Sequence, residues 1–257
     1  MITQRNYIAL AAAMLLTIGT AAAADTKSAP AAKNQAATIT IYHLEGRRSE
    51  RIVWLCEELG VPYKLEFKRG DLAGSMQTIR NINPLMAVAP TVRYGDQIMV
   101  ESGAILELIL ARQGKGKLMP AVDSPDYPYY LQWMHFAEGS FAARVIADYR
   151  VLAIQGKQQP AAGRPRLVDA EGVLKFAEDF LSRNPYFGGK EFSAADIMML
   201  FPLNFAGGLN IVDLEPFPNL VAWRTKVESR PAFKRMLAVA RPDGFIGTPP
   251  ALPKAAK

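Results

Sequence analysis

Cys56 is the only cysteine in 257 residues. No intrachain disulfide can form, and an oxidising compartment is allowed without being exploited. Histidine is nearly as scarce. His43 and His135 do not lie at metal-ligand spacing, so no metal site is expected. The chain also lacks a G-x-S-x-G elbow, a phosphate loop and a dinucleotide fingerprint. The net charge is +6, but lysines and arginines are scattered apart from one RRSER cluster, Arg47 to Arg51. That leaves no basic stripe to bind phosphates in series, so nucleic acid is not an expected partner. No internal repeat is found.

What is there is a globular composition. Half the residues are hydrophobic and 21% are charged, enough to bury a sizeable core in one domain or two. Residues 1–24 stand apart: Arg5, an apolar run from Ile8 to Ile18, then Ala22-Ala23-Ala24 before Asp25. They read as a signal peptide cleaved between Ala24 and Asp25. The run is too short to span a bilayer comfortably. No stable membrane insertion is expected after cleavage, and the mature protein is expected to be periplasmic or secreted. An uncleaved anchor is the alternative. Residues 25–37 read as a disordered linker, and the Pro-rich residues 241–257 as a loose tail.

Between these ends, 38–43 alternates like a strand. Ile52, Leu55, Cys56 and Leu59 make one helical stripe, which Gly60 caps and Pro62 stops. Residues 63–67 alternate again, giving a β-α-β unit. Residues 71–83 are irregular or a short helix. A hairpin follows with its turn at Gly95-Asp96, and Ser102 is expected to cap the next helix. Residues 115–127 form a Gly-, Pro- and Asp-rich linker. Pro128 opens a long helix, a second runs from about 168 to 183, and Ser193 with Asp196 forms a capping box on a third. Two more helices split at Arg230-Pro231. The expected fold is an α/β thioredoxin-like domain, 38–114, followed by an all-α helical domain, 128–240.

Four stretches, RSERIVWLCEELGVPY, NPLMAVAPTV, VESGAILELIL and FSAADI, occur in an order and spacing that resembles the cytosolic-type glutathione transferases over about 38–240. YLQWMHFAEGSF adds likeness to the microbial branch with a serine near the first helix. The resemblance implies glutathione as co-substrate, a small apolar electrophile as second substrate, a detoxifying transferase reaction and a homodimer. It implies that Pro90 is a cis-proline, turning the Ala89 backbone outward where an extended tripeptide pairs like an added strand. An ordinary trans turn is the alternative. Glu101 and Ser102 correspond to the pair that grips the γ-glutamyl end. A helix N-terminus suits a carboxylate, and Glu101 accepts from the ammonium. The plainer reading is helix capping, and both can hold. Trp133, Phe136, Phe141 and Tyr149 are placed in the electrophile pocket, with packing in the core as the alternative.

The arginines pose the sharper question. A helix N-terminus is already partly positive, so Arg47, Arg48 and Arg51 are misplaced unless an anion meets them. The resemblance supplies one in the thiolate and carboxylates of glutathione, with Arg48 among its ligands. A donor-rich helix start also lowers a thiol pKa. The alternative is pairing with Glu45, Glu50 and buried acids, which is expected for Arg51. Arg47 stands where serine-type members carry their catalytic serine. Ser49, assisted by Arg47, is therefore expected to activate the sulfur, with Tyr42 as the alternate. The NPLMAVAP loop is one residue longer than the family's and lacks its lysine, so a contact to the glycine carboxylate is lost or comes from Arg47 or Arg48. Cys56 lies on the apolar stripe, where a thiol is inert, which argues against disulfide exchange through it. Without turnover, the same fold would be a non-catalytic glutathione- or apolar-ligand-binding protein. A module that only docks other proteins is a third reading, resting on the Pro-rich tail.

Overall fold

The computed structural model describes residues 37–155 and 169–244. The expected signal peptide, the linker up to residue 36, Val168 and the tail beyond 244 lie outside them.

Strand β1 (Ile39–Tyr42) buries alternate β-branched side chains and pairs in parallel with β2 (Lys64–Glu66), Thr40 opposite Lys64. Helix α1 (Glu50–Leu59) is the crossover between them. It ends as expected at Gly60, whose φ of 67° is the left-handed turn a side chain disfavours. Residues 71–83, left open between loop and helix by the sequence, form α2 (Leu72–Ile82). Asp71 caps it by accepting from the Gly74 N–H at 2.8 Å. A Cβ on residue 74 would lie 2.1 Å from the Asp71 carboxylate, so glycine lets that cap close. Strands β3 (Thr91–Tyr94) and β4 (Gln97–Met99) form the hairpin, turning at Gly95-Asp96. The sheet order is β2-β1-β3-β4.

Helix α3 (Ser102–Gln113) follows at once. Here the structure corrects the sequence. Glu101, not Ser102, occupies the cap position, and no side chain caps the helix.

The second half is helical. Helix α4 (Tyr127–Phe136) carries Pro128 in its first turn, then widens into a π-helical turn at Ala137–Ala142 before α5 (Ala143–Gln155). Helix α6 (Ala170–Leu181) precedes α7 (Ala194–Gly208), which opens with the expected Ser193–Asp196 capping box. Asp196 is fully buried and also accepts from the Phe187 N–H and the Trp223 indole N–H, so its role is structural. Helices α8 (Pro218–Glu228) and α9 (Pro231–Ala240) part at Arg230. One apolar core runs through both halves, and α1 packs against α3, α7 and α9. Helix α1 is thus the wall the two halves share.

Candidate active site

The Ala89–Pro90 peptide bond is cis. Among the described residues, neither the N–H nor the C=O of Ala89 has a hydrogen-bonding partner, while the neighbouring Val88 carbonyl accepts from Thr91 at 2.7 Å. The hairpin register pairs Val92 with Met99. Pro90 directly precedes β3 and Glu101 follows β4 by two residues, so both lie at the same end of the hairpin. Glu101 is exposed and holds a φ of 72°, a strained conformation for a non-glycine residue. Ser102 beside it is buried, with its hydroxyl 3.4 Å from Nη1 of Arg51. A methyl group built on Gly103 would meet nothing within 4 Å, so the first turn of α3 borders open space.

At the start of α1 a relay of hydrogen bonds ties three segments together. The His43 Nε2 lies 2.8 Å from the Ala240 carbonyl, which only accepts, so Nε2 carries the proton. Nδ1 is then the acceptor for the Ser49 hydroxyl at 2.8 Å, and Ser49 Oγ accepts the Leu44 N–H at 3.1 Å. Both side chains are fully buried. Burial lowers the His43 pKa to about 4, so the ring is neutral near pH 7. Ser49, expected as the direct sulfur donor, is instead an internal group committed to His43. Tyr42, the alternate, is buried in a separate cluster with Leu44 and Ile79, and its hydroxyl accepts from Arg93. The N–H groups of Arg48 and Ser49 have no partner among the described residues.

The arginines find their anions mostly within the chain. Arg48 Nε donates to Glu138 at 2.8 Å, and Arg51 Nη1 donates to the same oxygen. Arg51 also donates to the Met198 carbonyl. Its burial lowers its pKa to about 10, so it stays charged at neutral pH. Both guanidiniums lie over the Phe201 ring, at 4.8 and 5.2 Å. Glu50 accepts two hydrogen bonds from Arg241 and one from the Gly46 N–H. Arg47 is half-buried, donates to the Gly46 carbonyl at 3.2 Å, and has its pKa lowered by desolvation. The structural pairing expected for Arg51 is found, but the acid is Glu138, 87 residues away. Arg48, expected on glutathione, shares that acid. Sequence reasoning missed Glu138, although it is the one acid in an apolar helical stretch, FAEGSF.

Of the aromatic residues assigned to an electrophile pocket, two are packed inside the core. Trp133 and Phe141 are fully buried. Trp133 sits in a ring cluster with Phe136, Phe176, Phe180 and Phe187, centroids 4.6–5.2 Å away. Tyr149 meets the edge of Phe205 at 6.2 Å. Space opens elsewhere, where α1, α7 and α9 meet: a cavity lined by Arg47, Arg51, Trp54, Leu200, Phe201 and Arg241, among others. Cys56 is buried, with its thiol pushed up to about 12 by desolvation.

A four-stranded mixed sheet with a cis-proline ahead of β3, joined to a helical half through α1, defines a thioredoxin-like module with an all-helical partner. The family models agree in both halves. Residues 37–111 match the glutathione S-transferase N-terminal domain and residues 155–231 the C-terminal domain. Glutathione S-transferase 3 of Schizosaccharomyces pombe is 31% identical over 208 residues, covering 76% of this chain and 84% of its own length. The chain belongs to the glutathione S-transferase family. A glutathione S-transferase of Actinobacillus pleuropneumoniae, solved by crystallography, is 25% identical, covers 81% of this chain and 94% of its own, and superposes with a TM-score of 0.65. Disulfide-bond oxidoreductase YfcG of Escherichia coli is 23% identical over 203 residues, covering 79% of this chain and 90% of its own length. Family and fold together support glutathione binding and transferase-type function.

Proposed function

We propose that the protein is a glutathione transferase of the microbial serine-type branch in which Arg47 replaces the serine. One observation carries this reading: the cis Ala89–Pro90 bond, with the Ala89 backbone unpaired, lies at the same end of the hairpin as a strained Glu101 and a buried Ser102. Glutathione pairs with Ala89 as an added strand. Its γ-glutamyl carboxylate meets Ser102 and the first N–H groups of α3, and Glu101 accepts from its ammonium. The sulfur then lies at the start of α1, near Arg47 and the N–H groups of Arg48 and Ser49. There a fixed positive charge and the helix dipole favour the thiolate. Ser49 acts as a positioning residue, holding the loop through His43. The thiolate attacks an apolar electrophile lodged between the two halves. A C–S bond forms, the leaving group departs with its electron pair, and the thiol proton has already gone to solvent. Disulfide exchange through a protein thiol is closed to buried Cys56.

Calorimetry with glutathione and a conjugation assay with a halonitroarene test the proposal, and both binding and turnover are expected. Binding without turnover with any standard electrophile would instead favour a non-catalytic glutathione carrier. The arginine at position 47 and the internal position of Ser49 favour that second reading. No binding at all would rule out both.

Three further expectations belong to the same proposal. The mature chain begins at Asp25 and is periplasmic or secreted, which N-terminal sequencing of the exported protein checks. It is a homodimer, which light scattering checks; Leu85 and Met86 offer exposed apolar surface on one loop for a second copy. Its reaction detoxifies small electrophiles.

A further inference from the structure

Two helix ends meet beside the turn that precedes α1. Helix α9 ends at Ala240, with Arg241 in the cap position. The last carbonyls of a helix have no partner within it. The Ala240 carbonyl is instead met by His43, 2.8 Å away. On the other side, Glu50 opens α1 and accepts the Arg241 guanidinium through both of its oxygens. Each charge lies at the helix end that favours it, the acid at the positive end of α1 and the base at the negative end of α9.

Glu50 makes a further bond. One of its oxygens accepts the Gly46 N–H at 2.7 Å, four residues back along the chain. Gly46 holds a φ of 70°, a left-handed conformation that glycine adopts freely. From there the Arg47 N–H returns to the Leu44 carbonyl at 3.1 Å, and the chain enters Arg48 and Ser49, whose N–H groups have no acceptor among the described residues. Such N–H groups keep their places only if other contacts fix the backbone of the turn. Two adjacent residues at the end of α9 do so, Ala240 through His43 and Ser49, and Arg241 through Glu50. Glu50 is buried, so its bonds are weakly screened.

We propose that Glu50 is a positioning residue for the transferase reaction: braced by Arg241, its carboxylate fixes the Gly46 turn and so holds the N–H groups of Arg48 and Ser49 where the sulfur of glutathione binds. This rests on the transferase reading above. Glu50 acts through the Gly46 N–H and not by contact with the sulfur. Its charge alone would work against the reaction, because a carboxylate near the start of α1 opposes a thiolate there. Arg241 offsets that charge. Position and charge therefore predict opposite results when Glu50 is removed.

Ultraviolet titration of bound glutathione in the wild-type protein, Glu50→Ala and Glu50→Gln tests the proposal. Glu50→Ala is expected to lower the fraction present as thiolate at pH 7 about tenfold, while the Kd of S-methylglutathione changes less than about twofold. In Glu50→Gln the amide oxygen still accepts the Gly46 N–H, and most of the thiolate is expected to return. A thiolate fraction in Glu50→Ala that matches or exceeds the wild-type value overturns the proposal, an excess being what charge alone predicts. Glu50→Gln no better than Glu50→Ala overturns it as well. So does a loss of S-methylglutathione affinity as large as the loss of thiolate, which would mean general disorder at the site. No thiolate in the wild-type complex overturns the transferase reading and this proposal together. Hydrogen exchange of the Gly46 amide in the wild-type protein needs no variant to fold. Strong protection is expected there, and exchange at the rate of an open loop overturns the proposal.

Discussion

The two ends of α1 carry the same anomaly in opposite sign. Arg47, Arg48 and Arg51 sit at the positive end of the helix dipole, and Glu57 and Glu58 at the negative end. At the C-terminal end partners settle the matter. Arg230 grips Glu58 through two bonds of 2.6 and 2.8 Å, and the Trp54 indole adds a third at 3.0 Å. Glu57 accepts from Arg235 at 2.8 Å and from the Tyr63 hydroxyl at 2.7 Å. At the N-terminal end Glu138 answers Arg48 and Arg51, yet the Arg51 Nε–H and the N–H groups of Arg48 and Ser49 have no acceptor among the described residues. A charge set against the dipole is structural where its partners exhaust it. Where donors outnumber acceptors, it marks a place for a ligand.

The largest expected effect is at the N-terminal end. Glu138→Gln removes the acceptor of two guanidiniums, one of them buried, and should cost on the order of 3 kcal/mol in urea denaturation. The comparison breaks if that loss is no larger than the one from Glu57→Gln. Next come the ligand-facing residues. Ser102→Ala should raise the glutathione Kd about tenfold in calorimetry while leaving the urea midpoint nearly unchanged. Glu101→Gly should also weaken binding, yet raise stability by about 1 kcal/mol, because glycine adopts the 72° φ without strain. A loss of stability there would mean that the backbone is not strained.

A third expectation concerns pH. Burial holds the native His43 pKa near 4, below its ordinary 6.5. The unfolded chain therefore binds the extra proton first, and the His43 contribution is complete above pH 6.5 and lost as pH falls toward 4. Asp196 runs the other way. Burial raises its pKa to about 6, so its contribution is present below 3.8 and lost as pH rises through 6. Replacing His43 by Gln should flatten the fall in stability between pH 6.5 and 4, read from urea midpoints across that range. The smallest effect is at the settled end. Glu57→Gln removes a pair in which Arg235 is half exposed, and should cost less than about 1 kcal/mol without touching glutathione affinity.

Local chemistry was legible in the sequence. Gly60 before Pro62 ended α1, Ser193 with Asp196 opened α7, and Arg230-Pro231 parted the last two helices, because each signal acts within a few residues. The cis bond at Pro90 came from the family pattern. Pairings across the fold were not legible. Glu138 meets α1 from a π-helical turn, which shifts the face that ordinary helical periodicity would assign. The Ser49 hydroxyl is committed through His43 to a carbonyl 197 residues away from that histidine. The aromatic stripe beginning in α4 was assigned to a pocket although aromatics on a helix more often pack in a core, since periodicity says which face is apolar but not what covers it. For 71–83 the sequence left an irregular segment and a short helix both open, and the Asp71 cap, which closes over a glycine at 74, accompanies the helix that forms.

The central claim is that the sulfur of glutathione ionises at the start of α1. Ultraviolet titration of the thiolate in the complex tests it directly, in the wild-type protein and in Arg47→Gln. Bound glutathione should lose its thiol proton at a pH well below that of the free tripeptide, and the variant should recover part of the difference. A bound thiol that titrates like the free one would contradict the account.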